Sequence, residues 1–102
     1  MSKVKNQKPT KKDEIRKNKK NSHPAYIYEK VGNRYKYIGL THSPTTQGVR
    51  NIKLEKNPNP NDNRDSYARP KSETGATHEW KKPEATWKLS KQDKEKLKPY
   101  QK

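Results

Sequence analysis

The side chains in this sequence best suited to chemistry are three histidines, His23, His42 and His78, and the hydroxyl-bearing run Thr41-His42-Ser43. An imidazole with an ordinary pKa of about 6.5 can take or give a proton at neutral pH. Two such groups beside a cation suit phosphodiester cleavage in RNA. One takes the proton of the ribose 2′-hydroxyl, another protonates the leaving 5′-oxygen, and a cation or hydroxyl holds the charged phosphorane. Arg69 is the candidate cation, with Thr41 as a second phosphate contact. Other chemistries find little support. The chain has no Cys, its histidines do not stand at metal-ligand spacings, and its four glycines are scattered singly. Thiolate chemistry, the usual zinc sites and a glycine-rich phosphate loop are therefore not expected. Asp62 and Asp65 sit in an Asn-rich loop without the full oxygen pattern of a calcium loop, so they read as solvated loop acids. No cofactor is expected.

Something must bring His23 and His42 together, and the segment between them reads as a hairpin. Tyr26-Ile27-Tyr28 opens a β-rich run to Val31, Gly32-Asn33 is a two-residue turn, and Arg34 to Leu40 returns. With that turn as the loop, Val31 faces Arg34, Lys30 faces Tyr35, Glu29 faces Lys36, Tyr28 faces Tyr37 and Ile27 faces Ile38. Continued without interruption, the ladder sets Ala25 opposite Leu40 and His23 opposite His42. Ala25, Ile27, Val31, Ile38 and Leu40 then share an apolar face. Tyr26, Tyr28, Tyr35 and Tyr37 share the other with Lys30. That tyrosine face has two readings: a second packed layer, or a platform on which bases stack beside cations. In the second, Tyr26, Tyr28, Tyr35, Lys30, Lys36 and Arg69 line the nucleic-acid path.

Beyond the hairpin, Val49 to Glu55 reads as a third strand and the Asn/Pro run from Asn57 to Asn63 as loop. Ser66 to Pro70 reads as a short edge strand, and Trp87-Lys88-Leu89 as a last strand or docking anchor. Ser90 and Asp93 match a capping box opening a helix over Lys91 to Lys98, which Pro99 stops. Leu97 is that helix's one clear apolar anchor, which predicts packing at the rim.

Composition limits what these elements can be. In 102 residues there are 26 Lys+Arg against 11 Asp+Glu, for a net charge of +15, and only 24% of residues are hydrophobic. That is too little for the whole length to be one packed globule. Residues 1–22 hold nine positive and two negative side chains and read as a disordered basic arm that tracks phosphates or merely keeps the chain soluble. The expected organisation is this arm, a small β domain over 23–98 and a tail over 99–102. The fold class is mainly β: a small antiparallel sheet or Src-homology-3-like barrel with a short C-terminal helix. No apolar run is long enough to span a membrane and none follows the basic N-terminus as in a secretory signal. Lack of Cys fits a reducing, cytoplasmic setting.

Two segments carry a family likeness. His23-Pro24 leading into Tyr26-Ile27-Tyr28, and Tyr37-Ile38-Gly39-Leu40-Thr41-His42-Ser43, resemble toxins of the MazF/PemK kind. Trp87-Lys88-Leu89-Ser90 and the helix after it resemble that family's C-terminal ending. The resemblance covers 23–98 loosely. It implies a small barrel, sequence-selective and metal-independent cleavage of single-stranded RNA, and an acidic antitoxin as partner. Thr41 matches the family's strand-end Thr. The residue before the proline is typically Arg in the family and is His23 here, and the family's early Gly-Glu segment has no clear match. The leading expectation is thus an RNA-binding protein acting as an endoribonuclease toxin, with His23, Thr41 and His42 catalytic. Two rivals stay open: a non-catalytic nucleic-acid binder of a phage or mobile element, and a basic protein-interaction module or inhibitor. RNA against DNA, and monomer against homodimer, are also open.

Overall fold

The computed structural model describes residues 8–101. Residues 1–7 of the expected arm and Lys102 of the expected tail lie outside the described residues. The chain builds an antiparallel sheet on the expected hairpin. Its strands are β1 (Thr10–Lys17), β2 (Pro24–Val31) and β3 (Arg34–Thr41), then three short ones, β6 (Ile52–Lys53), β7 (Tyr67–Ala68) and β8 (Glu73–Ala76). A separate small hairpin pairs β4 (Thr45–Thr46) with β5 (Val49–Arg50). The strand order is β1-β2-β3-β7-β6, with β8 also paired to β3. That path ends at β6, so the hydrogen bonding defines an open antiparallel sheet. No helix among the described residues is long and apolar enough to cross a membrane.

The β2–β3 ladder starts as expected and then departs by one residue. Gly32 takes a φ of +59° and Asn33 does not have a positive φ; Gly in the first central position is the signature of a type II′ turn, which matches strand twist. Val31 pairs with Arg34, Lys30 with Tyr35 and Glu29 with Lys36. Tyr28 is then an extra residue, and Ile27 pairs with Tyr37, Tyr26 with Ile38 and Ala25 with Gly39. A second irregularity lies between Lys11 and Glu14 of β1, at the same level. Paired bulges bend a sheet sharply. The expected Tyr28–Tyr37, Ile27–Ile38 and Ala25–Leu40 pairs are therefore corrected.

Because side-chain direction alternates, this one-residue step reassigns the faces. Ile15, Tyr26 and Ile38 form a row across β1, β2 and β3 and belong to the main core with Tyr28, Leu40, Leu54, Ala68, Leu89 and Leu97. The opposite face holds Ala25, Ile27, Tyr35 and Trp80, with Tyr37 against them. Tyrosines and aliphatics are thus mixed on both faces. Tyr26, Tyr28 and Tyr35 are only 5–6% exposed. They fill the core and offer no stacking platform. Burial and the Asp13 carboxylate, to which it is hydrogen-bonded, hold the Tyr26 phenol well above its usual range. Tyr28 and Ser72 join hydroxyls.

The expectation that residues 1–22 are a disordered arm fails over its second half. Strand β1 has one fully buried aliphatic residue, Ile15. It is ordered by hydrogen bonds on both edges: β2 on one side and the 80–84 segment on the other, with Lys81 N–H donating to Lys17 O and Glu84 N–H to Ile15 O. Those bonds also cover what would be a free sheet edge. Asn18 and Asn21 then use their Oδ1 atoms to cap Lys20 N–H and His23 N–H, so the turn into β2 is latched.

Downstream, the expected third strand is broken at buried Asn51, whose Nδ2 donates to Ser43 O and Thr46 Oγ1. The expected edge strand lies inside the sheet: β7 pairs with both β3 and β6. Helix α1 (Lys91–Leu97) starts at Ser90, whose hydroxyl accepts from Asp93 N–H. The reciprocal half of a capping box is absent. The fully buried Asp93 carboxylate instead accepts from Glu55 N–H at 2.7 Å and Lys56 N–H at 3.3 Å, which ties the helix to the end of β6. Leu97 is fully buried in the main core, so the helix packs centrally and not at the rim. Lys98–Tyr100 continue as a 3-10 turn that sets Tyr100 against the same core, which leaves little of the expected tail.

Candidate functional site

The end of the sheet where β2 begins and β3 stops opens into a cleft of about 720 Å³, within the range of about 300–1,000 Å³ typical of ligand sites. His23, Thr41, His42 and Arg69 all line it. Sequence reasoning placed these four together, although by a different register. The paired ladder stops at Ala25–Gly39; counted on from there, His23 falls level with Thr41 and not with His42. Strand alternation ends at Thr41, because its Oγ1 accepts from Ser43 N–H and the chain turns there. His42 reaches the cleft from that turn.

Arg69 gets its place from a glycine. β3 exchanges one partner for another along the same edge, β8 up to Tyr37 and β7 from Leu40. Arg69 follows β7 at this break and donates its backbone N–H to Gly39 O. Its Cγ lies 3.3 Å from where a Gly39 Cβ would stand, so the side chain crosses the strand over the gap Gly39 leaves. Its Nε is buried and has no hydrogen-bond partner. Among the described residues the guanidinium makes no ion pair. A buried N–H donor without an acceptor is costly unless a ligand or water completes it.

His42 is held from both sides by the Asn-rich loop. Its Nδ1 lies 2.9 Å from Asp65 O; a carbonyl only accepts, so Nδ1 carries a proton. Nε2 lies 3.6 Å from Asp62 Oδ2. Asp62 is in turn gripped by Arg64 through Nε and Nη2. These hydrogen bonds hold the Asp62 carboxyl well below the usual carboxylate range. The loop is not slack: Asn57 caps Asn59 N–H, Asn59 caps Asn61 N–H, and Asn57 Nδ2 donates to Arg64 O. The Asp65 carboxylate is exposed, as expected of a solvated loop acid, and only its backbone carbonyl meets His42; for Asp62 that expectation is corrected, because its carboxylate faces His42 and Arg64. The alternating Asn residues were the available signal, since each can cap the backbone two residues on.

The remaining candidates fall elsewhere. Lys30 and Lys36 lie near the hairpin turn and do not line the cleft; Lys36 Nζ faces Glu29 at 3.9 Å. His78 is exposed in a 3-10 turn outside the cleft. The aromatic side chains that do line the cleft are Tyr37, Trp80 and Trp87. Trp80 is buried edge-on against Tyr37, 4.7 Å between ring centroids, with its unpartnered Nε1 toward Gly75. Burial foremost, with Glu73 and Glu79 adding to it, raises the Tyr37 phenol above its usual range. The charged side chains that line the cleft are Lys17, Arg64 and Arg69 with Asp62 and Glu73, and the backbone bonds Lys19 N–H to Glu79 O and Lys81 N–H to Lys17 O put four further lysines, Lys19, Lys20, Lys81 and Lys82, in the segments next to Lys17. Among the described residues, no three His, Asp or Glu side chains are grouped to hold a metal ion.

No protein-family model matches this chain, and no curated protein or solved structure matches it either.

Proposed function

We propose that this protein binds single-stranded RNA across the cleft at the open end of the sheet and cleaves it by histidine acid–base chemistry. The observation that carries this reading is the convergence of His23, Thr41, His42 and the unpaired Arg69 guanidinium in one cleft. Arg69 and Thr41 hold phosphate oxygens. His42 Nε2, the ring nitrogen that faces Asp62, takes the 2′-hydroxyl proton as the 2′-oxygen attacks phosphorus. His23 returns a proton to the departing 5′-oxygen. The products are a 2′,3′-cyclic phosphate and a 5′-hydroxyl, and no metal takes part. In the toxin form of this reading the setting is cytoplasmic and the partner is an acidic antitoxin segment. That form rests on the MazF/PemK resemblance at His23-Pro24 and Thr41, and the cleft chemistry does not depend on it.

A second reading is favoured by one contact. His42 Nε2 faces Asp62 at 3.6 Å, an arrangement in which the imidazolium serves as a fixed phosphate-binding cation without proton transfer. The protein then binds RNA and leaves it intact.

Incubating the purified protein with a long end-labelled single-stranded RNA in the presence of a chelator separates the two. Cyclic-phosphate ends that disappear in His42→Ala support cleavage. RNA retained in a gel shift but intact after hours supports binding alone. RNA that is neither shifted nor cut at low ionic strength overturns both. Binding should weaken steeply as salt rises, because each phosphate contact releases counterions.

A further inference from the structure

We infer that Trp87 is the base-stacking residue of this cleft, with Lys17 as its companion phosphate contact; the inference rests on the RNA reading above. A strand-binding groove combines cations along the backbone with aromatic faces on which unpaired bases stack. The three tyrosines that looked suited to that task are core residues. Of the cleft's aromatic side chains, Trp80 is buried at 6% exposure, whereas Trp87 is half-buried at the edge of the main core.

Three observations set Trp87 apart. Its backbone is fixed on both sides: Trp87 N–H donates to Glu84 O, and the adjoining Lys88 N–H donates to Pro58 O of the latched loop. The indole is therefore pre-positioned and costs little to order on binding. Lys17 Nζ sits 5.0 Å from the ring centroid and 3.9 Å from Glu84 Oε2, so a partly exposed ammonium, paired with Glu84, lies over the ring. Lys17 is the last residue of β1 and pairs with Pro24, which also lines the cleft. An arriving base replaces the ammonium over the indole, and the released ammonium turns to the adjacent phosphate. Alternation along β1 puts Lys17 on the Ile15 face, while Arg69 crosses the Gly39 face. The two anchors thus lie on opposite faces of the sheet end, in the cleft that His23 and His42 also line. Such a path bends a flexible single strand around the edge, which a stiff duplex does not follow.

Tryptophan emission and anisotropy with a short labelled single-stranded RNA test this directly. The wild-type protein should lose emission on binding. Trp87→Phe should keep most of the affinity but lose that quench, and Trp87→Leu should bind about tenfold or more weaker, since a stacked base is worth about 1–3 kcal/mol. Melting curves show whether Trp87→Leu is folded; if it is not, the Trp87→Phe quench decides alone. Wild-type binding with unchanged emission, full affinity in folded Trp87→Leu, or equal affinity for duplex RNA of the same length overturns the stacking site and leaves the RNA reading standing. Absence of any wild-type binding overturns the RNA reading, and the stacking site with it.

Discussion

The two ends of the β2–β3 hairpin obey different rules. At the turn end, Gly32-Asn33 fixes the geometry and Val31–Arg34, Lys30–Tyr35 and Glu29–Lys36 follow in order. That register can be read from the turn itself, although β1 and β8 flank it, Thr10 pairing with Lys30 and Arg34 with Ala76. At the open end, the position of each residue depends on one extra residue, Tyr28, and on segments far along the chain: the 57–65 loop, β7 and the 80–84 segment. The turn end carries the cross-strand ion pair and contributes no residue to the cleft described above; the open end carries His23, His42 and the orphaned Arg69 donor. The part of the hairpin whose register the turn fixes takes no part in the proposed site, which lies where the 57–65 loop and β7 approach the other end.

Breaking the bulge should have the largest effect. Deleting Tyr28 leaves Ile27–Tyr37, Tyr26–Ile38 and Ala25–Gly39 paired as they are, but takes the bend out of β2 and a buried ring out of the main core. The expected outcome is loss of cooperative unfolding by circular dichroism, at the turn end as well as the open end. Next comes His42→Ala. It should lower RNA cleavage about 100- to 10,000-fold, the range for removing a positioned acid or base, while the urea midpoint stays near wild type because His42 is exposed.

Two glycine substitutions sharpen the contrast. Gly32→Ala forces a side chain into a φ of +59° and should cost about 1–2 kcal/mol of stability, leaving RNA affinity per folded molecule unchanged. Gly39→Ala should do the reverse. Arg69 Cγ, at 3.3 Å from the new Cβ, must give way, so RNA affinity should fall severalfold with a smaller change in unfolding free energy. If Gly32→Ala proves the better way to lose RNA, the two-end account is wrong.

The smallest effect concerns acid. The depressed pKa of Asp62 means that whatever stability this carboxylate adds is fully present above the unfolded value of about 3.9 and is lost only as pH falls through the lower folded value. An NMR titration of the carboxyl carbon should show Asp62 still ionised where the other carboxylates have protonated. Arg64→Ala should bring its titration back toward the ordinary range.

Sequence patterns revealed what is local and periodic. The hairpin, its turn residues, the Ser90 cap and the association of His23, Thr41, His42 and Arg69 were all readable, as was the mainly β class with its short C-terminal helix. Tyr28 as a bulge was not, because an extra residue leaves no mark in an alternating run already rich in aromatic side chains. Strand β1 was hidden for another reason: Thr10–Lys17 has almost no apolar pattern and is ordered by backbone pairing on both edges. Asp93 looked like half of a capping box because sequence shows its spacing to Ser90 but not the approach of Glu55 and Lys56. The same bulge separates the tyrosines, putting Tyr26 and Tyr28 in the main core while Tyr35 is buried with Trp80 on the other face.

The most direct test of the central claim is an amide chemical-shift map recorded as a short single-stranded RNA is added to the protein. The account predicts shifts concentrated at His23, Thr41–Ser43, Asp62–Arg64, Arg69 and Trp87, with Gly32 to Lys36 still. Shifts concentrated at the turn end, or no shifts at low salt, would contradict it.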